Sequence, residues 1–394
     1  MTDDGLFDQS HSKYCVALFI AHPLLLHLLR TYPGRWLAKF TDAYNGFHTL
    51  RQDLHIRTRL KHQYYGPVVR QGPKKLVFST ITAARDIYRT DRTTQAGDNK
   101  LHRQRRQLVG RILTDASIRA FEPMMAHQVD ILVSNILHAT QHRNTFDIFK
   151  EARQLGYDGT IWSNLFLLYP GARLFRFGLI LVKAFRTLRE PYLADAKHDL
   201  FSRLEPALKT DNVNGGLRDS ELWAEADLFL TAAGDTVKTA VSALFFYLAR
   251  DRPAYETLAT EIRTTSPTAT EINSVALGIC RYLRACINEA IRMSPPALGI
   301  LWRESTVTNT PLVIDGHVIS NGAMVDALRF MRDAFMPFSI GQRGCAGKTM
   351  TYANTGLVVT KTFWCFDFQT SAHAKGTIGG GGRSDTSTNR PDHQ

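Results

Sequence analysis

The stretch FMPFSIGQRGCAGKTM, residues 335–350, sets a cysteine among glycines at the start of a helical pattern. Gly341 and Gly347 permit a tight turn and the close approach of a bulky group to the backbone. Arg343 adds a permanent cation whose planar fork suits carboxylates. A thiolate near a cation and a helix N-terminus is stabilised and can ligate a metal, whereas a lone cysteine is more often a small buried hydrophobe. Cys345 is therefore a candidate metal ligand whose role depends on the rest of the chain.

The composition excludes several kinds of metal site. The chain has 394 residues, of which 44% are hydrophobic and 21% charged, as is typical of a globular protein with a large core. Its five cysteines form no CxxC pair, which argues against a disulfide framework or a zinc cluster and favours a reducing compartment. A metal would then be held mostly by a prosthetic group, with one protein thiolate.

The chain is basic, with a net charge of +12 and a pI near 9.5. Such a charge suits nucleic acid, a membrane surface or an acidic protein partner. The basic residues are scattered apart from one cluster, HRQRR at 102–106, and the sequence contains no RNA-binding signature or helix-turn-helix pattern. We therefore expect no nucleic-acid partner and retain the other two.

An apolar run near the N-terminus, YCVALFIAHPLLLHLL at 14–29, has only 16 residues. A helix that spans a bilayer needs about 20. Acidic residues precede the run and basic residues follow it, so the positive-inside rule would leave the bulk of the protein in the cytoplasm. Two interpretations remain open, a short membrane anchor and a buried or interfacial helix.

The chain divides into three predicted segments. These are an N-terminal tail with the anchor-like run over residues 1–31, one folded domain over 32–370, and a disordered tail over 371–394. The Tyr-Pro-Gly turn at 32–34 marks the first boundary.

The folded domain is predicted to be mainly α with a minor β part. Proline and glycine turns around β-rich runs predict a small sheet over 64–80, and helical patterns dominate from about residue 100. Short strands and turns follow residue 305, and TFWCFDF at 362–368 alternates as a strand does.

The longest predicted helix runs from about Ser220 to Arg250 and is apolar on most faces, so we expect it in a core. Its middle carries AAGDT at 232–236, where small side chains leave room and Asp235 and Thr236 add polar groups. A pocket for a flat ligand with a proton path would explain this group. Close helix packing would explain it equally, with a satisfied aspartate and with Thr236 bonded to the carbonyl four residues before it.

A second helical stretch, RYLRACINEAIRMSPP at 281–296, is stopped by paired prolines and places Glu289 and Arg292 on one face. At the surface such a pair contributes only about 0.2–0.5 kcal/mol. Buried, it would need further hydrogen-bond partners and would act as a structural clamp.

These motifs, in this order, resemble those of the cytochrome P450 family. The pattern Phe338-x-x-Gly341-x-Arg343-x-Cys345-x-Gly347 matches the family's haem-ligand loop at each specified position. The resemblance implies a P450-like haem-thiolate fold in which Cys345 is the axial ligand of the haem iron. Phe338 would pack beside the thiolate, and the two glycines would let the backbone lie against the porphyrin.

Three further motifs carry the resemblance. Glu289-x-x-Arg292 is similar to the family's helix pair, and residues 232–236 are similar to most of its oxygen-binding groove. His102-x-x-x-Arg106 is similar to the fungal form of its propionate-binding motif.

The resemblance covers residues 32–368. Within the family, the sequence is most similar in type to filamentous-ascomycete P450s of the benzoate-hydroxylase and trichothecene-hydroxylase kind. It implies that Arg343, His102 and Arg106 neutralise the haem propionates, with Arg303 as a weaker candidate.

The implied activity is a monooxygenase that inserts one oxygen atom from O2 into an apolar small molecule, either a secondary metabolite or an aromatic compound. Electrons would come from NADPH through NADPH–cytochrome P450 reductase. Thr236 would assist oxygen, and Asp235 would belong to the proton relay. We expect the protein at the endoplasmic reticulum membrane, with its catalytic domain in the cytoplasm.

The chain is shorter than the family pattern in several places. Residues 317–326 pass almost directly into the cysteine loop, and the Pro-x-Arg element that packs on the helix pair in the family is missing there. Glu289 and Arg292 would lose that partner. An alternative hypothesis is therefore a truncated, catalytically impaired P450-like protein with an incomplete fold and weak or no haem binding.

Overall fold

A computed structural model describes most of the chain outside its termini and its middle. The described residues are 26–51, 53–90, 93–94, 102–103, 106–107, 109–110, 113–142, 219–297, 301–305, 311–328 and 335–370. They fall into two compact units. The first comprises residues 1–102 and 297–345, and the second comprises residues 103–296 and 346–394. The predicted tail over 371–394 and most of the anchor-like run lie outside the described residues.

The first unit contains three helices in its N-terminal part. They are α1 (Ala43–Leu50), α2 (Leu54–Tyr65) and α3 (Ile81–Arg89), and a 3₁₀ turn (Trp36–Lys39) precedes them. The hydroxyl of Thr80 accepts a hydrogen bond from the Ala83 N–H and caps α3. This helix buries the side chains of Ala83, Ala84, Ile87 and Tyr88.

The first unit also contains all seven strands that the described residues form. They are β1 (Val68–Gly72), β2 (Lys75–Phe78), β3 (Thr93–Thr94), β4 (Arg303–Ser305), β5 (Leu312–Ile314), β6 (His317–Ile319) and β7 (Met324–Ala327). Five strands form one sheet in the order β1-β2-β7-β4-β3, and β5 and β6 form a separate hairpin. The sheet predicted over 64–80 is confirmed.

The pairing of β2 with β7 joins the two sequence-distant parts of the first unit. Leu76 is in register with Val325, and Phe78 is in register with Ala327, in a parallel pair. These four side chains are buried together with Ile87 of α3 in one apolar core. This packing holds the C-terminal end of α3 against the end of β7.

The second unit is helical throughout its described part. Its helices are α4 (Asp115–His142), α5 (Asp219–Leu248), α6 (Arg252–Thr265), α7 (Ser274–Ile279), α8 (Arg281–Met293) and α9 (Lys348–Cys365). Helix α9 contacts the other five helices, and its residues from Thr355 to Phe363 are all buried. The helices predicted near 220–250 and 281–296 are confirmed, as is the mainly α fold with a minor β part.

The strand predicted over 362–368 is wrong. Helix α9 continues to Cys365, and the Phe366 N–H donates to the carbonyl of Thr362 at its end. Phe363 is fully buried, and its ring centroid lies 5.2 Å from that of Tyr255 and 5.7 Å from that of Phe245. The apolar residues are close together here because the end of α9 is buried on several sides, and not because side chains alternate between two faces of a strand.

Within the described residues, no helix combines the length and the apolar character that crossing a bilayer would require.

Lys61 on α2 is an unusual member of the first unit because its side chain is only 5% exposed. Its ammonium lies 4.5 Å from the ring centroid of Tyr44 and has no hydrogen-bond partner in the part of the chain that the structure describes. Burial, with a smaller effect from nearby Arg35, lowers the pKa of Lys61 from 10.5 to about 8.

This burial predicts a rise in stability with pH. Between about pH 8 and 10.5 the unfolded chain binds a proton at Lys61 that the folded protein does not, so the free energy of unfolding rises across that window. Lys61→Met should remove this rise and stabilise the protein near neutral pH. Urea unfolding midpoints at several pH values would measure it, with Lys74→Met at an exposed lysine as the control. Parallel curves for Lys61→Met and the wild type would contradict the prediction.

Candidate haem-binding site

The loop around Cys345 is closed by main-chain hydrogen bonds in the first unit. The Cys345 N–H donates to the carbonyl of Phe338 at 2.7 Å, and the Gly344 N–H donates to the carbonyl of Gly341 at 3.0 Å. Residues Gly341–Arg343 form a 3₁₀ turn between Phe338 and Cys345. The loop therefore places the cysteine opposite Phe338, and the thiol is exposed.

Gly341 is required by the loop for two reasons. Its φ of +74° lies in the left-handed region, which side chains disfavour. A Cβ at this position would also collide with the carbonyl oxygen of Tyr88, at the end of α3. The sequence suggested that this glycine makes room for a bulky ligand, and the structure adds a close approach of two backbones.

Three of the basic residues that the sequence proposes as propionate partners lie in the first unit and are partly or fully buried. Arg343 is half-buried, and this burial lowers the pKa of its guanidinium. His102 is helical and half-buried, and Arg303 on β4 is almost fully buried. The guanidinium carbon of Arg303 lies 5.6 Å from the ring centroid of Tyr88. Buried cations of this kind favour anionic partners.

The other predicted residues belong to the second unit. Arg106 is helical and half-buried. Gly347 precedes α9, and its carbonyl accepts hydrogen bonds from the Thr351 N–H at 2.8 Å and the Thr351 hydroxyl at 2.9 Å. Within the first unit, the structure thus brings Phe338, Gly341, Arg343 and Cys345 together in one loop.

Asp235 and Thr236 both make local contacts in α5. The Thr236 hydroxyl donates to the carbonyl of Ala232 at 2.6 Å, the bond that the packing interpretation predicts. The Asp235 carboxylate pairs with the ammonium of Lys238 at 2.7 Å, and its side chain is 44% exposed. The hydroxyl oxygen of Thr236 keeps accepting capacity, so its role with oxygen stays a prediction.

Glu289 and Arg292 form the pair that their spacing predicts. Two hydrogen bonds of 2.7 and 2.6 Å join the guanidinium to the carboxylate, and they raise the pKa of Arg292. The Glu289 side chain is 55% exposed and that of Arg292 25%. Because the carboxylate is not buried, the penalty expected for a buried pair without a third partner does not arise within this unit.

Two functional candidates were missed by the sequence patterns. Asp326 is a buried carboxylate in β7, and the Tyr88 hydroxyl donates to it. A charged residue in the short apolar strand MVDA was a usable signal. Tyr88 carries no local signal, because its partner is 238 positions away in the sequence.

The donors around Cys345 fit haem. Among the residues that the structure describes, no three histidine, cysteine or acidic side chains form a metal cluster. An iron bound by Cys345 would take the rest of its coordination from a porphyrin. The exposed thiol together with the buried guanidinium of Arg303 and the half-buried one of Arg343 suits an iron porphyrin with two carboxylates.

A mainly helical fold with such a loop defines the class of haem-thiolate proteins. The sequence profile of the family described as cytochrome P450 matches residues 182–330. Cytochrome P450 monooxygenase poxM of Penicillium oxalicum is 29% identical, over 91% of this chain and 87% of that protein. Cytochrome P450 monooxygenase AKT7 of Alternaria alternata is 26% identical, over 93% of this chain and 89% of its own. The chain is therefore similar to cytochrome P450 monooxygenases over about nine-tenths of its length.

The alignment with poxM also bears on the length of the chain. It extends over 452 positions, which is more than the 394 residues of this protein. The relative therefore contains residues that have no counterpart here, and the positions at which the sequence pattern predicts missing segments stay predictions.

Gly341→Ala should disorder the cysteine loop. A left-handed φ costs a non-glycine residue about 1–3 kcal/mol, and the added Cβ also meets the Tyr88 carbonyl. We expect a several-fold loss of bound haem per protein, measured from the absorbance of purified samples. Gly278→Ala is the control, because nothing lies within 4 Å of its added Cβ. Equal haem content in both variants would contradict this assignment.

Proposed function

We propose that this protein is a haem-thiolate monooxygenase that inserts one oxygen atom from O2 into an apolar small molecule. The observation that carries the proposal is the exposed Cys345 thiol on a loop closed by the bond from its own N–H to Phe338. That bond closes the loop and fixes the backbone of the residue that carries the thiol. Similarity to cytochrome P450 monooxygenases supports the same reaction class.

The proposed ligand set is small. Cys345 binds the haem iron as a thiolate, and the cations Arg343, Arg303, His102 and Arg106 neutralise the propionates. When bound, haem supplies the oxygen chemistry, and a thiolate ligand favours cleavage of the O–O bond, as in other P450 proteins. Burial of Arg343 and Arg303 lowers the local dielectric, which strengthens their attraction for carboxylates.

Residues of α5 are proposed to move protons during the reaction. The Asp235 carboxylate is paired with Lys238 yet 44% exposed, so it can exchange protons with water. Thr236 is its neighbour in the chain, and its hydroxyl oxygen can accept a hydrogen bond while it donates to Ala232. Together these groups can pass a proton from solvent to the hydroxyl.

Electrons are proposed to come from NADPH through NADPH–cytochrome P450 reductase at the endoplasmic reticulum membrane, with the catalytic domain in the cytoplasm. The net charge of +12 suits both an acidic flavoprotein and an anionic lipid surface. Exposed apolar side chains in the N-terminal part of the first unit suit a membrane surface as well; they include Leu28, Trp36, Leu37, Phe47 and Leu50.

The substrate is proposed to be an apolar secondary metabolite or aromatic compound. The similar proteins are fungal P450 monooxygenases, which supports a fungal small-molecule pathway. The second candidate is a shortened P450-like protein with weak or no haem binding, favoured by an alignment longer than the chain itself. The ratio of haem to protein after purification separates the two, since only the first candidate retains stoichiometric haem.

Cys345→Ala should abolish the thiolate signature of the ferrous–carbonyl complex, because no other sulfur is proposed to reach the iron. Cys365→Ala is the matched control, since Cys365 is also a free and exposed cysteine. It should keep the signature. A thiolate signature that survives in Cys345→Ala would refute the assignment of the ligand.

Thr236→Ala should leave haem binding intact and uncouple NADPH oxidation from product formation, so that more peroxide forms per NADPH consumed. Thr239→Ala removes a similar hydroxyl, which donates to the Asp235 carbonyl at 2.7 Å, and should leave the coupling unchanged. Peroxide yields measured with the reductase present would test both. Unchanged coupling in Thr236→Ala would return this threonine to a role in helix packing alone.

A further inference from the structure

We propose that Tyr88 positions the cysteine loop. It contacts the chain at the end of β7 and again at Gly341, just before Cys345. The inference rests on the proposed function only in taking Cys345 as the haem ligand. All of the contacts that carry it lie within the first unit.

The phenol group of Tyr88 holds the upstream end of this segment. Its hydroxyl donates to the Asp326 carboxylate and accepts a hydrogen bond from the Ala327 N–H at 3.4 Å. Tyr88 is 4% exposed and Asp326 is 3% exposed. A buried carboxylate is costly unless hydrogen bonds compensate it, so this contact fixes where β7 ends.

The backbone of Tyr88 meets the downstream end of the same segment. Its carbonyl occupies the space that a Cβ of Gly341 would fill, and Gly341 opens the 3₁₀ turn that leads to Cys345. Ala327 therefore contacts the side chain of Tyr88, and Gly341, later in the sequence, contacts its backbone. A displacement of Tyr88 moves both ends of the segment together.

Arg303 completes the surroundings of Tyr88. It lies on β4, next to β7, in register with Val325, and its guanidinium carbon is 5.6 Å from the Tyr88 ring centroid. One tyrosine thus connects a buried guanidinium, a buried carboxylate and the turn before the cysteine. Satisfied polar networks of this kind restrict a core to one arrangement, whereas apolar packing tolerates several.

Tyr88→Phe is the direct test, because it keeps the ring and the backbone contact and removes only the hydroxyl. We expect backbone amides in residues 335–345 of the full chain to exchange with deuterium about tenfold faster, because a hydrogen bond to a charged group is lost. Where haem is bound, the ferrous–carbonyl spectrum should shift from the thiolate form towards the protonated-thiol form.

Tyr255→Phe is the matched control. Tyr255 is also buried, and its hydroxyl donates to the Asp367 carboxylate at 2.8 Å in the second unit. This variant should leave exchange in residues 335–345 as in the wild type. Equal exchange in the loop for both variants, or an unchanged loop in Tyr88→Phe, would overturn the proposal.

A double variant covers the case in which Tyr88→Phe destabilises the whole protein. Tyr88→Phe with Asp326→Leu replaces both polar partners by apolar groups, which restores global stability. Loop exchange should stay fast in the double variant, whereas its return to the wild-type rate would overturn the positioning role. Hydrogen exchange is measured independently of the iron ligand. A thiolate signature that survives Cys345→Ala would therefore refute the proposed function and leave the exchange result for Tyr88→Phe standing.

Discussion

The hydrogen bond from the Cys345 N–H to the Phe338 carbonyl is the contact on which the cysteine loop depends. It can form only because Gly341 adopts a left-handed φ and lies directly against the Tyr88 carbonyl. That approach depends in turn on the apolar core that packs α3 on β2 and β7. The position of the Cys345 backbone thus depends on the burial of side chains far from it in the sequence.

Much of this architecture could be predicted from the sequence. Periodic apolar patterns located α5 and α8, and the spacing of Phe338, Arg343 and Cys345 located the loop. The pattern failed for the end of α9, because a helix buried on most sides carries no distinctive period. It also gave no sign of Tyr88, since contacts between distant segments leave no local trace.

The shortening of the chain has a limited effect on the contacts that are present. The pair between Glu289 and Arg292 is bidentate and partly exposed, so water can screen its charges. Within the first unit, the loop is held by main-chain bonds and by α3. The extra residues that poxM has in its alignment with this chain are therefore not needed for the contacts that close the cysteine loop.

The parallel pairing of β2 with β7 has a consequence for biosynthesis. Residues 75–78 leave the ribosome on the order of 250 residues before their partners at 324–327, which at about 5–20 residues per second means tens of seconds. During that time the edge of β2 that pairs with β7 in the folded protein is unpaired. The second unit, apart from α9, is synthesised within the same interval. The edge that β7 covers in the folded protein therefore stays open to pairing with other chains until residues 324–327 have been synthesised, which makes this interval the one at which the nascent chain is most exposed to aggregation.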